Sequence, residues 1–393
     1  MKNLILSLLV AFAFSPALAG AAQEELSNHA LLERIKQLES RLAEQDSSDA
    51  DAKGLSSELG SWSERISLSG LLEVEGVYED VDFDAAGSED ASDLVLATVE
   101  LGIDAELSEH VSGHVLLLWE EDDTEPIDVD EAFMLFDGGN DAPVWVRAGK
   151  MYVPFGNFTS NMISDPLTLE IGETNESAVE AGMRMGDFYA LAYVFNGDVD
   201  EAGDDNHIDN FGAQVGYALE QDNFSLDASI SYINNLVDSD GWEGELDDFE
   251  AELDLDEYVG GLGMHAVVEA GAFNIIGEYI LALDDPEYVV GTSVEERDAI
   301  EVWNLEVGYA FTLFNKEALV GVAYQGSNNG DSFMPEGYAN ADEDLDFIPQ
   351  DRYMFTIGAE ILPYTSLALE YLHDEYEDDD SADIVTAQLA LEF

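Results

Sequence analysis

The last nine residues of the chain, VTAQLALEF (residues 385–393), alternate in character, with Ala390 as the one apolar residue at a polar position. Every second residue is apolar and the series ends on Phe393, while the polar residues Thr386, Gln388 and Glu392 lie between them. A period of two residues places apolar side chains on one face of a β-strand and polar side chains on the other. This stretch therefore predicts an amphipathic strand that ends in an aromatic residue.

The same period recurs from Ile66 onward, in runs of about ten residues, whereas strands of soluble proteins usually have about five or six. A tilted β-strand needs about 9 to 11 residues to cross a membrane. Sixteen such runs are recognisable, and their length favours membrane crossing. They begin near Ile66, Asp93, His110, Ile127, Pro143, Ser177, Phe188, Ile208, Asn223, Glu257, Ala272, Asp298, Lys316, Arg352, Thr365 and Asp383.

The connections between these runs alternate in length. Most links after odd-numbered runs are long, as at residues 152–176 and 234–256, although those around Asp122 and Asp379 are brief. Links after even-numbered runs are short, as at residues 108–109 and 186–187. Short turns at one end and long loops at the other are typical of outer-membrane barrels. The sequence therefore predicts an all-β fold, an antiparallel transmembrane β-barrel of about sixteen strands in the outer membrane of a Gram-negative bacterium.

The ends of the runs also fit contact with lipid. Aromatic residues such as Trp119 and Tyr309 lie where a strand would reach the headgroup layer. The C-terminal Phe393 resembles the signal by which the barrel-assembly machinery recognises such strands, so we expect that machinery and outer-membrane lipid as partners.

The N-terminal residues differ in character from the rest. Residues 1–19 predict a secretion signal, with Lys2 before an apolar run and a small-residue cleavage site. Residues 20–45 predict a periplasmic helix, residues 46–64 a polar linker and residues 65–393 the barrel. The helix carries an apolar seam formed by Leu31, Ile35, Leu38 and Leu42. This seam favours a coiled coil, most simply in a homotrimer, and a single amphipathic helix is the alternative.

The composition excludes several classes of function. The chain has 393 residues, no Cys and a formal charge of −75. Nucleic acid is excluded as a partner because phosphate binding needs Lys and Arg. The acidity suits a saline habitat or a preference for cations. No catalytic, cofactor or metal motif is complete, since the alternating Asp80, Asp82 and Asp84 lack the Gly and Glu of a calcium loop.

The link after the fifth run begins with GKMYVPFGNF (residues 149–158). Pro154 and Gly156 turn the chain sharply, and Pro166 prevents a regular strand. Its apolar residues would suit a loop that packs against a wall rather than one surrounded by water. The sequence therefore predicts that this third long link folds into the lumen and narrows it.

Seven charged residues are candidates for lining the pore or its constriction. They are Arg147, Lys150, Arg184, Arg352, Asp165, Glu170 and Glu173. Because side chains alternate between the two faces of a strand, the three arginines should point inward with their polar neighbours. Lys150 would need a bulge at Gly149 to turn inward. We expect Arg147 and Lys150 to hold the loop by pairing with its carboxylates. The alternative is that each Arg pairs with a neighbouring Glu of the wall.

The stretch from Arg147 to Phe158, RAGKMYVPFGNF, and the following TSNMISDPLTLEIGETNES (residues 159–177) resemble the LbtU-type siderophore porin family. The leader, the short Leu-rich helix and the length are also similar. The resemblance implies a barrel that takes up iron as a siderophore complex without a plug domain. It carries over no binding residues.

These observations predict passive uptake of a small hydrophilic solute. An iron–siderophore complex is the first hypothesis, and a general diffusion porin that favours cations is the alternative. A structural barrel or a barrel enzyme would fit less well, because no Ser–His spacing is diagnostic of catalysis. We therefore predict that the protein is not an enzyme.

Overall fold

The structure is a computed structural model. It describes residues 65–84, 87–121, 126–139, 142–203, 207–247, 254–330, 332–335, 345, 347–377 and 379–393. The predicted secretion signal, the helix with its coiled-coil seam and the linker lie outside the described residues.

Strands dominate the described chain. In chain order the elements are β1 (Ile66–Phe83), β2 (Gly87–Ser108), β3 (Val111–Trp119), β4 (Asp128–Asp137), β5 (Val144–Tyr152), α1 (Leu167–Gly172), β6 (Asn175–Met185), β7 (Phe188–Phe195), β8 (Asn210–Gln221), β9 (Phe224–Ile233), α2 (Asp240–Asp247), β10 (Asp254–Leu255), β11 (Gly261–Ala270), β12 (Phe273–Ala282), β13 (Glu287–Val290), β14 (Ser293–Glu296), β15 (Glu301–Leu313), β16 (Lys316–Asn328), β17 (Asp351–Leu362), β18 (Thr365–Glu375) and β19 (Ser381–Glu392). Neither of the two helices in the described residues is long and apolar enough to cross a bilayer.

Sixteen of these strands form one closed antiparallel barrel, which confirms the predicted fold; β10, β13 and β14 form a separate small sheet. The barrel closes where β1 pairs with β19. Gly70 donates its backbone N–H to the carbonyl oxygen of Phe393 at 2.9 Å, and Phe393 donates back to Gly70 at 3.0 Å. The predicted terminal strand is thus the one that seals the barrel.

The wall is polar inside and apolar outside. Along β15, Asn304 and Glu306 are at most 2% exposed, whereas Leu305 between them is 52% exposed. The other barrel strands repeat this pattern, with outward residues such as Val215 and Phe355 among the exposed apolar side chains. This pattern is that of a barrel whose outer surface contacts lipid.

The two ends of the barrel differ. Short turns connect β2 to β3, β6 to β7 and β11 to β12, and the last two place Gly186 and Gly271 at φ +65°. Glycine adopts this left-handed conformation without steric cost, which suits a tight hairpin. Most links at the other end are longer, as predicted, but β1 ends at Phe83 and β2 begins at Gly87, so the link between them is short. We call these ends the short-turn end and the long-loop end.

The long links contain structure that the sequence did not predict. β10, β13 and β14 form their three-stranded sheet there, and α2 lies in the link after β9. Trp242 of α2 donates its indole N–H to the hydroxyl of Tyr288 at 3.0 Å and meets the Phe333 ring edge-on at 4.8 Å. These buried aromatic residues join the links after β9, β12 and β16 into one apolar core. That core includes Leu167 and Ile171 of α1.

Candidate pore constriction

Residues 153–174 form the constriction loop, which connects β5 to β6. Its two ends meet where Val153 donates its backbone N–H to the carbonyl oxygen of Thr174 at 2.9 Å. Gly156 has φ +77°, and a Cβ at this position would lie 2.4 Å from the ring of Phe158. The sharp turn that this glycine allows sends the chain across the lumen, as predicted from Pro154 and Gly156.

Three glutamates on the far wall hold the loop. Glu278 of β12, Glu306 of β15 and Glu370 of β18 point inward, and each is at most 5% exposed. We call them the anchor glutamates. A carboxylate that accepts several N–H and O–H groups forms hydrogen bonds about twice as strong as neutral ones.

The hydrogen bonds follow the loop in order along the wall. Glu278 accepts the backbone N–H of Asn157 at 2.7 Å, and Glu306 accepts that of Asn161 at 2.6 Å. Glu370 accepts the N–H of Ile163 at 2.6 Å. Irregular backbone at membrane depth needs partners for its polar groups, and the anchor glutamates supply them.

The return half of the loop is held by polar and apolar contacts. Leu167 donates its backbone N–H to Gln325 Oε1 at 2.9 Å, and Thr168 donates its hydroxyl to Glu278 at 2.8 Å. Leu167, Ile171 and Phe155 are at most 1% exposed. The loop therefore rests against the wall from β9 to β18, and the apolar side predicted from its sequence packs against that wall and the links above it.

The other side of the loop carries three predicted carboxylates and faces β1 and β4. Burial within the lumen raises the pKa of Asp165, and the charge of Glu75 on β1 raises it further. Burial is also the main cause that raises the pKa of Glu173 to about 8, with contributions from Asp240, Asp165 and Asp130 of β4.

The third carboxylate, Glu170, behaves similarly. Burial and the charge of Asp165 raise its pKa, and the charge of Arg352 opposes this shift. Asp165 thus lies near enough to influence both Glu170 and Glu173, so the structure groups these three carboxylates on the constriction loop. We call these three residues the acidic face.

The predicted pairing of Arg147 and Lys150 with these carboxylates is wrong. Arg147 donates to Glu180 of β6 at 2.6 Å, and Lys150 lies 3.6 Å from Asp128 of β4. Arg147 and Glu180 stand directly opposite each other in the β5–β6 register, so the wall carboxylate is the nearer partner. The alternative expectation, pairing within the wall, is the one observed.

No bulge turns Lys150. The registers of β5 with β4 and with β6 run through Gly149 without a shift. Gly149 has φ +143°, and a Cβ there would lie 2.1 Å from the carbonyl oxygen of Ala132. The glycine is required by the close approach of β4, and the bulge that would turn Lys150 inward is absent.

The other two basic candidates also pair within the wall. Arg352 makes two hydrogen bonds of 2.8 Å to Asp374 on the adjacent strand β18. Arg184 lies 3.4 Å from Asp137 at the short-turn end, with its guanidinium 4.2 Å from the centre of the Trp145 ring. Arg184 is therefore distant along the barrel from the loop, whereas Arg352 is near enough to influence Glu170.

Changing Arg147 to Ala is expected to destabilise the barrel and leave its conductance unchanged. Glu180 is 3% exposed and also accepts the indole N–H of Trp145, so the variant leaves a buried carboxylate short of a partner. The cost is about 1–3 kcal/mol. This loss of stability is measured as a lower midpoint temperature for the change in electrophoretic migration that heating produces.

Arg184→Ala is the matched control, because that pair is exposed and worth about 0–1 kcal/mol. A changed conductance in Arg147→Ala, with stability equal to that of Arg184→Ala, would contradict the wall role.

The anchor glutamates were not among the predicted site residues. Glu306 does lie on the polar face of its run, between Asn304 and Gly308. The sequence feature that could have identified it is an acidic side chain in the middle of an inward face, and Glu278 and Glu370 show the same feature on nearby strands. The loop residues that they bind could not be read from that pattern.

A Ser–His pair lies in the lumen wall and bears on the enzyme alternative. His265 Nδ1 is 3.0 Å from Ser229 Oγ, and His265 Nε2 is 3.6 Å from Asp227 Oδ1. Ser229 also accepts the amide N–H of Gln214 at 3.0 Å, and both Ser229 and His265 are 7% exposed. Because a nucleophile must be reachable by substrate, this buried set is interpreted as wall structure.

Comparison with known proteins identifies relatives of limited similarity. No protein-family model matches the chain. A UPF0422 protein of Coxiella burnetii (strain RSA 493 / Nine Mile phase I) is 27% identical over 318 residues, which are 79% of this chain and 64% of the relative. A UPF0422 protein of Legionella pneumophila (strain Lens) is 22% identical over 338 residues, which are 79% of this chain and 59% of the relative. The chain thus spans about three fifths of the length of these curated relatives.

Solved structures with the same fold are outer-membrane channels. The outer membrane channel DcaP of Acinetobacter baumannii aligns with a TM-score of 0.55 at 14% identity, over 84% of this chain and 97% of that chain. An anion-selective porin from Comamonas acidovorans aligns with a TM-score of 0.54 at 12% identity, over 84% and 99%. Pseudomonas putida OprB aligns with a TM-score of 0.55 at 10% identity, over 87% and 97%. The fold is that of an outer-membrane porin. The resemblance to siderophore porins is not confirmed by these proteins and stays a prediction.

Proposed function

We propose that the protein is a passive outer-membrane channel for small hydrophilic solutes and that it favours cations. The observation that carries this proposal is the acidic face on the constriction loop. Among the residues that the structure describes, no Lys or Arg lies within ion-pair distance of Asp165, Glu170 or Glu173. Uncompensated charges at the narrow part of a pore set its selectivity.

The basic residues support the same selectivity. Arg147, Lys150, Arg184 and Arg352 each lie within 4 Å of a wall carboxylate, so none of them presents an unbalanced positive charge to a solute. Solutes would pass between the acidic face and the wall formed by β1 to β4. A low-dielectric wall around such charges strengthens their effect on ions in the path.

The test is the reversal potential of the purified channel in a planar bilayer under a salt gradient. We expect a potential of the sign that marks cation preference. Changing Asp165 to Asn should reduce this potential, because the most exposed carboxylate of the acidic face is lost. Asp222→Asn, exposed in the short turn between β8 and β9, should not. Anion preference would contradict the proposal, and an absence of conductance would favour a structural barrel.

The narrower hypothesis is that the solute is an iron–siderophore complex. It rests on the resemblance of residues 147–177 to the siderophore porins. Cells with and without the gene would be grown on iron-starved medium with a purified siderophore. Growth that depends on the gene would support this cargo, and cation-selective conductance with no iron phenotype would leave the general porin.

Four further expectations stay predictions that neither the structure nor the known relatives test. They are cleavage of the signal segment, a trimer held by the N-terminal seam, recognition of Phe393 by the barrel-assembly machinery, and a saline habitat. The porin fold supports a channel rather than an enzyme.

A further inference from the structure

A set of buried oxygen atoms lies beneath the links after β7 and β9, apart from the constriction. Asn210, Asn235, Asp238 and Ser239 are each at most 1% exposed. Within the described chain, Asp238 Oδ2, Asn210 Oδ1, Asn235 Oδ1 and Ser239 Oγ have no hydrogen-bond partner. Buried polar atoms are normally satisfied, so a group of unpaired acceptors indicates a missing ligand.

Asp238 and Asn210 both approach Gly197, while Asp238 and Asn235 both bond to the backbone of Val199, and Ser239 follows Asp238 in the sequence. A Cβ on Gly197 would lie 2.6 Å from both carboxylate oxygens of Asp238 and 2.3 Å from Asn210 Nδ2. Val199 donates its N–H to Asp238 Oδ1 at 2.9 Å, while its carbonyl accepts the amide of Asn235 at 3.2 Å. Asp238 Oδ1 is therefore occupied, and Oδ2 is left free.

The electrostatics of this pocket favour a positive ligand. Burial raises the pKa of Asp238 to about 7, the N–H groups of Val199 and Asp198 lower it, and the charges of Glu176 and Asp198 raise it. A cation would compensate the buried carboxylate. Among the described residues, no group of three or more His, Cys, Asp or Glu is arranged to hold a metal. The donor set is instead one carboxylate with amide and hydroxyl oxygens.

We propose that Asp238, together with the side-chain oxygens of Asn210, Asn235 and Ser239, binds a hard divalent cation of the Ca²⁺ type. Ca²⁺ accepts carboxylate and amide oxygens in flexible geometry, whereas Mg²⁺ retains water and Zn²⁺ favours nitrogen and sulfur. This site goes beyond the proposed channel function and does not depend on it.

Such a cation would brace the structure behind the constriction. Ser239 leads directly into α2, whose Asp240 donates its N–H to the carbonyl oxygen of Glu173 at 2.8 Å. Asn175 donates its N–H to Asp240 Oδ1 at 3.0 Å. The cation would therefore join the links after β7 and β9 and support the end of the constriction loop.

The test uses terbium as a luminescent substitute for calcium, with the full chain refolded in detergent after treatment with a chelator. Trp242 lies three residues after Ser239 in the sequence and can sensitise a bound Tb³⁺ ion. We expect saturable emission that excess Ca²⁺ displaces. Asp238→Asn should weaken binding at least tenfold, and the exposed Asp284→Asn should leave it unchanged.

A second measurement protects the test against a variant that fails to refold. Asn210→Asp adds a carboxylate to the set, so it should strengthen binding and increase the rise in unfolding temperature that Ca²⁺ produces. The proposal is overturned if the wild-type protein gives no saturable emission, or if Asn210→Asp responds to Ca²⁺ as the wild type does. In either case, water molecules would supply the hydrogen bonds that these oxygens lack. Equal affinities in Asp238→Asn and Asp284→Asn would overturn it as well.

Discussion

Replacing Glu306 by Gln should convert a quiet channel into one that flickers between open and partly closed levels. Glu306 accepts hydrogen bonds from Asn161 N at 2.6 Å, Ser160 Oγ at 2.8 Å and Asn304 Nδ2 at 2.9 Å. Glutamine keeps the size of the side chain but has only one acceptor oxygen. Its amide N–H groups would face the donors of the loop, so contacts at the tip of the loop are lost.

The size of the effect follows from the strength of these bonds. A hydrogen bond to a charged group is worth about 1.5–3 kcal/mol, and 1.4 kcal/mol corresponds to about a factor of ten in population. The detached state of the loop should therefore become roughly ten to a hundred times more populated. Because the loop rests against the wall from β9 to β18, a detached tip can only move into the open part of the lumen. The expected change is transient closure rather than a larger conductance.

Single-channel recording measures this as open-channel noise and dwell times. The triple variant Glu278→Gln, Glu306→Gln, Glu370→Gln should flicker more than the single variant. Glu317→Gln, an exposed glutamate near the short-turn end, is the matched control. If the triple variant shows the same open-channel noise and dwell times as Glu317→Gln, apolar packing at Phe155 and Ile171 holds the loop, and the anchor glutamates are dispensable.

The strands could be predicted because their signal is local. A period of two residues over a membrane-crossing length is visible in a single sequence, and each predicted run matches a barrel strand. Boundaries differ where strands continue beyond the membrane. The run expected from Asp93 begins at Gly87, because β1 and β2 remain paired as far as the Phe83–Gly87 pair.

The partners of charged residues could not be predicted, because they depend on register. Arg147 meets Glu180 because the β5–β6 register sets them opposite each other, and Arg352 meets Asp374 for the same reason. Nothing in the order of residues distinguishes these carboxylates from Asp165 or the others that the chain offers. The position of the loop was predictable from its turns and apolar side, whereas its attachment to the anchor glutamates required the closed barrel.

The preference for cations should increase as pH rises from about 6 to 9, with the steepest change near pH 8. Burial and neighbouring carboxylates raise the pKa of Glu173 to about 8, so this group is mostly neutral at pH 7 and mostly ionised at pH 9. The pKa values of Asp165 and Glu170 are also raised, so both lose charge at a higher pH than usual as the solution is acidified. Each deprotonation adds negative charge beside the solute path, and the sign of the effect follows directly.

Glu173→Gln tests which group causes the upper part of this pH dependence. The variant keeps the shape of the side chain and removes its titration, so the reversal potential should become nearly constant between pH 7 and 9. Asp222→Asn, exposed in the short turn between β8 and β9, should retain the wild-type profile. A wild-type profile in Glu173→Gln would assign the titration to other carboxylates. A preference for cations that falls with rising pH would contradict the acidic face as the selectivity element, since ionised carboxylates can only strengthen the attraction of cations.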